Sequence, residues 1–179
     1  AGTINGALLT TSSVGGTILD FGPVVTGFNA TNSGSGDIQL TNSNATLTIT
    51  GIGNTAVNGK VTVNNTGAIS TTTAPITTAA NGDIGLTAST SGTIGAAVTA
   101  GGSGTVSLVA TVGTMSVNAA VGSTSGVIDI TGGGGINLGN GETPPVFLND
   151  GTICGAGTTT LCPPIPAGTP LNGTIPFAF

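Results

Sequence analysis

Short runs in which aliphatic or β-branched residues alternate with small polar ones recur along this chain, and each opens on a glycine. They read GTILD at Gly16, GDIQL at Gly36, GKVTV at Gly59, GDIGL at Gly82, GTVSL at Gly104 and GVIDI at Gly126. The glycines are spaced about 22 residues apart, the mark of a chain wound into stacked coils whose units bury their apolar faces against one another. Alternation of period two sends Ile84 and Leu86 to one face of a strand and Asp83, Gly85 and Thr87 to the other. The same count puts Val106, Leu108, Met115 and Val117 inside. Each unit also holds a second strand candidate, with ATLTI at Ala45, GAI at Gly67, GTIGAAV at Gly92 and GTMSV at Gly113. Asn58-Gly59 and Asn81-Gly82 suit the sharp corners between strands. The pattern predicts an all-β fold, a parallel β-solenoid (β-helix) of about six coils, roughly 30 Å long at about 4.8 Å per coil.

Aromatic placement divides the chain. Its phenylalanines are Phe21, Phe28, Phe147, Phe177 and Phe179, so the repeats between carry only aliphatic and small inward residues. A narrow coil that stacks like on like has little room for rings. Residues 1–141 therefore read as the solenoid body, with 1–28 as an N-terminal coil and cap and 29–141 as regular coils. Residues 142–179 hold Pro144, Pro145, Pro163, Pro164, Pro166, Pro170 and Pro176 and read as a C-terminal extension for capping or subunit contact. Cys154 and Cys162 lie within that extension and are expected to form a disulfide, which points to an oxidising compartment. Closing so short a loop contributes roughly 2.6 kcal/mol on the chain-entropy model.

Composition narrows the function. Only 4% of the 179 residues are charged, the net charge is −5, and Lys60 is the single cation. Nucleic-acid binding relies on arrays of Lys and Arg, so it is not expected, nor is attachment to anionic lipid. With no histidine, Ser-His and Cys-His nucleophile systems cannot be built. The scarce carboxylates do not suggest glycoside chemistry, so the chain reads as a non-enzyme without a cofactor. No apolar run is long enough for a membrane helix. A chain opening on Ala1 fits a processed, exported product.

At GDIGLTASTSGTIGAAVTA, Gly82 to Ala100, the chain resembles the repeats of filamentous-haemagglutinin-like exoproteins, with Gly82, Ile84 and Leu86 in one strand and Gly92 and Ile94 in the next. The likeness covers roughly residues 16–140. That family is exported by two-partner secretion and folds as right-handed parallel β-helices. The resemblance implies an extracellular or cell-surface bacterial protein used in adhesion or fibre formation, and it carries over no catalytic residues. The family's amino-terminal secretion motifs, built around Asn-Pro, do not occur in these residues.

Individual residues add little chemistry. Asp37, Asp83 and Asp129 share a parity and could form a calcium ladder, but carboxylates on alternate coils stand about 10 Å apart. Calcium needs several oxygens at about 2.3–2.6 Å, so turn and surface roles are expected and no metal. Thr46, Thr48 and Thr50, or Thr71 to Thr73, suggest an ice-binding row, yet the threonines drift between units and β propensity accounts for them. Asn29, Asn44, Asn64 and Asn172 open N-glycosylation triplets of a kind that chance produces easily here. A solenoid has open strand edges at both ends, and sparse charge leaves them unblocked. The expected function is a filament subunit stacked head to tail on copies of itself, with Phe147, Ile175, Phe177 and Phe179 in the subunit contact. The alternative is a non-polymerising adhesin that binds a host-cell or matrix receptor or a glycan; ice binding stands third.

Overall fold

The structure, a computed structural model, describes residues 3–139 together with the backbone of Ile153–Gly155. Phe147, Cys162, Asn172, Ile175, Phe177 and Phe179 therefore lie outside the described residues, and Cys154 is described by its backbone alone. The chain is a parallel β-solenoid of about six coils with no helix among the described residues.

The first coils have two faces. A nine-residue strand alternates with a shorter one: β1 (Asn5–Ser13), β2 (Thr17–Leu19), β3 (Val24–Asn32), β4 (Ile38–Asn42), β5 (Thr46–Asn54) and β6 (Val61–Asn65). Later coils have three faces, because the long strand is cut in two. These are β7 (Ala68–Thr71), β8 (Ile76–Ala80) and β9 (Ile84–Ala88), then β10 (Gly92–Ile94), β11 (Val98–Gly101) and β12 (Val106–Ala110). β13 (Met115–Val117), β14 (Val121–Ser123), β15 (Ile128–Gly132) and β16 (Ile136–Leu138) follow, and β17 (Ile153–Gly155) lies in parallel on β15.

The cut has a local cause. β5 pairs through Thr46–Ile49 with β7 and through Ile52–Asn54 with β8, so one strand seats two. A register shift where Phe28 and Asn29 meet Ile49 and Gly51 already bends it, and Gly51 takes φ 151° there. One coil later Thr73 adopts φ 72° and Pro75 follows, which ends β7. The Thr71 hydroxyl, fully buried, accepts from Gly95 N and Ala96 N at 3.1 Å each and holds the new corner.

Side chains stack by register into columns. One runs Ile38, Val61, Ile84, Val106 and Ile128; its neighbour runs Leu40, Val63, Leu86, Leu108 and Ile130. All ten are buried. In the column Leu47, Ile69, Gly92, Met115 the missing side chain is compensated, because a Cβ on Gly92 would meet Met115 Sδ and Cε at 2.5 Å. The repeat glycines stack as well. A Cβ on Gly82, Gly104 or Gly126 would fall on the carbonyl oxygen of the repeat glycine one coil earlier, so the phrase must open on glycine for adjacent coils to close.

The first phrase breaks step. Counted from its glycine, GTILD puts Ile18 inside, but Thr17 pairs with Ile38 and Leu19 with Leu40, leaving Ile18 63% exposed. Gly16 lies only 20 residues before Gly36, short of the later spacing, and a slip of one residue reverses both faces of a strand.

Candidate functional site

The feature most open to a partner is the first coil. β1 pairs only with β3, and β2 only with β4, so one edge of each has no strand beside it among the described residues. Such a row of unpaired N–H and C=O groups is a template for further strands. Around it Leu8, Val14, Ile18 and Phe21 are exposed, four of the seven large exposed apolar side chains among the described residues. Ile4, Leu9 and Leu19 are only half-covered against the core. The Thr11 hydroxyl is buried with no hydrogen-bond partner among the described residues. Phe28 fills the core completely, whereas Phe21, within the stretch expected to cap the coil, is 45% exposed.

Two asparagine ladders stiffen the coils above this rim. Asn32 donates to Asn54 Oδ1 at 3.0 Å and to Ser35 O and Gly36 O, while its own Oδ1 accepts from Gly16 N. Asn54 donates on to Gly36 O and Lys60 O. At the opposite corner Asn42 donates to Asn65 Oδ1 at 2.9 Å, and Asn65 to Ala68 O at 2.8 Å. All four are buried and spend their amides on backbone groups that corners leave unpaired. The alternation of apolar and polar positions does not single them out, although the spacing from Asn32 to Asn54 and from Asn42 to Asn65 repeats the coil period.

The acidic residues sit differently from a metal ladder. Lys60, on the coil between Asp37 and Asp83, separates the two carboxylates. Its ammonium lies 2.9 Å from Asp83 Oδ2 and its backbone N–H donates to Asp37 Oδ1 at 2.8 Å. Asp83 also accepts from Thr105 N at 2.9 Å and Thr105 Oγ1 at 3.1 Å. The Thr105 N–H, followed by Lys60, holds the Asp83 carboxyl below the usual carboxylate range, and Asp83 raises the Lys60 ammonium in turn. No group of three metal-ligating side chains occurs among the described residues. Asp129 lies outward on β15, apart from this row.

The glycosylation triplets fall in unlike places. Asn29 lies in β3 beside a notch of about 200 Å³ at the strand bend, and donates to Thr50 Oγ1. Asn64 faces outward on β6. Asn44 occupies the turn between β4 and β5, where its Oδ1 accepts from Thr46 N at 3.2 Å. The threonine rows separate too: Thr71 is buried and Thr73 turns a corner, while Thr46 and Thr48 point outward. No helix among the described residues is long and apolar enough to cross a membrane. No protein-family model, curated protein or solved structure significantly matches this chain.

Proposed function

We propose that this chain is a structural subunit of an extracellular bacterial filament, assembled head to tail through the ends of the solenoid. The observation that supports the reading best is the unfinished first coil. A strand edge, a half-covered interior and a buried, unpartnered threonine hydroxyl together lack one further rung. A second copy offers one of the right kind. At the far end β14 pairs only with β11 and β16 only with β13 among the described residues, and Ile136 and Leu138 line an interior that is likewise half-covered. The chain itself joins parallel rungs in this way, since β17 already extends β15. Contacts between unlike ends propagate into a filament when the rotation between copies does not close a ring.

The tail residues Phe147, Ile175, Phe177 and Phe179 complete the junction in this proposal, and Cys154–Cys162 staples the segment that carries them. A variant lacking residues 171–179 tests that part by electron microscopy. The rim itself is tested with Leu8→Lys/Ile18→Lys, which places charge beside an exposed strand edge without touching the core. Negative-stain images and light scattering should show filaments for the wild type and monomers of unchanged circular dichroism for the double variant. A wild-type chain that stays monomeric at high concentration overturns the filament and favours a displayed adhesin. Filaments that persist in the double variant overturn the rim as the contact.

A further inference from the structure

Counted along the sequence the hydroxyl residues drift; counted by strand register, a set of them lines up. Thr48 pairs with Ser70, Ser70 with Thr93, Thr93 with Ser116, and Asn137 continues the line. Beside it, two residues earlier, Thr46 pairs with Ala68, and Ser91 and Thr114 stand just before β10 and β13, their carbonyls accepting from Ile69 N and Gly92 N of the neighbouring rungs. Both sets point outward, because the residues between them, Leu47, Ile69, Gly92 and Met115, are buried. The rungs carrying them pair without a bulge.

These hydroxyls are unspent. Elsewhere hydroxyls serve the fold: Thr78 donates to Gly82 O, Ser123 to Gly104 O and Thr55 to Asn32 O. The side chains of Thr46, Thr48, Ser70, Ser91, Thr93, Thr114 and Ser116 bond to no protein atom among the described residues, and no charged side chain lies among them. The outcome is a neutral array of O–H groups, about 4.8 Å apart from rung to rung along the first line, with those of Thr46, Ser91 and Thr114 beside it; between Thr46 and Thr48 the spacing along the strand is about 6.6 Å. The outer face of the β4–β15 sheet offers nothing comparable, being interrupted by Gln39, Gly85, Val109 and Asp129.

We infer that this face binds ice. An array of donors and acceptors held in place by a rigid interior fits a ligand with its own regular oxygen lattice, as an ice surface has. A fixed array orders the first water layer with little further loss of freedom, whereas a charged face would turn waters toward each ion. From Thr48 to Ser116 the surface lies apart from the first-coil rim, and only Asn137 on β16 falls at the far end, so the reading does not depend on filament assembly.

The test is ice-recrystallisation inhibition together with thermal hysteresis, measured on wild type, Ser70→Lys/Thr93→Lys and, as a control on the other sheet, Thr87→Lys. Wild type and Thr87→Lys should keep ice grains small and open a freezing gap, and the double variant should lose both while retaining its circular dichroism. If the double variant fails to fold, Thr93→Gln, which blocks the array without adding charge, takes its place. A wild type that behaves like bovine albumin overturns the inference, and so does equal activity, or equal loss, in the array and control variants. Leu8→Lys/Ile18→Lys should keep the activity, so failure of this reading and failure of the filament are told apart.

Discussion

Replacing Asn42 with alanine should remove a large share of the stability of the first coils. Val24 donates to Ile4 O across the β1–β3 ladder, so the next residue, Val25, points to the opposite edge. Pairing between β3 and β5 begins only at Gly27 and Thr48, and the Asn42 amide takes the place of the absent strand. Its Oδ1 accepts from Val25 N at 2.9 Å and its Nδ2 donates to Val25 O at 3.0 Å. Both residues are buried, so Asn42→Ala strands one N–H and one C=O at about 1–3 kcal/mol each. The Asn65 side chain is cushioned, since its Oδ1 still accepts from Asn44 N. The expected loss is about 4 kcal/mol in urea unfolding followed by far-ultraviolet circular dichroism. Asn64→Ala, outward on β6, should stay within about 0.5 kcal/mol. Asn42→Asp keeps the acceptor for Val25 N but turns carboxylate oxygens toward Val25 O and Asn65 Oδ1. Its folded pKa is therefore raised, and stability should return as pH falls and restores a donor. A loss below about 1 kcal/mol for Asn42→Ala, or no recovery of Asn42→Asp in acid, refutes the reasoning.

Other outcomes follow from the same geometry. Gly104→Ala drives a methyl onto the Gly82 carbonyl and should cost upwards of about 3 kcal/mol in the same assay, whereas Gly85→Ala, with open space around its Cβ position, should be neutral or stabilise by about 0.5 kcal/mol. Asp83→Asn should weaken the fold slightly at neutral pH, by about 1 kcal/mol or less, because the Lys60 pair is largely exposed. The wild type carries a depressed Asp83 carboxyl, so that contribution is present above the ordinary carboxylate range and lost as pH falls through the lowered value. Thermal melts of wild type and Asp83→Asn should therefore converge in acid, and a gap that widens there contradicts the assignment.

The period of about 22 residues, the period-two alternation and the lack of charge were legible in the order of residues, because each is a local rule repeated along the chain. Those rules were enough to place Ile84, Leu86, Val106, Leu108, Met115 and Val117 inside and to announce a parallel solenoid. What they could not contain was anything that depends on which residue lies above which. The slip that leaves Ile18 in solvent and the insertion of Lys60 between two aspartates are set by pairing across coils. So are the asparagine ladders and the hydroxyl lines, whose members are some 22 residues apart in sequence and neighbours only once the coils close. Local alternation settles the face a side chain takes; only register, decided by the packing of whole coils, settles its neighbours.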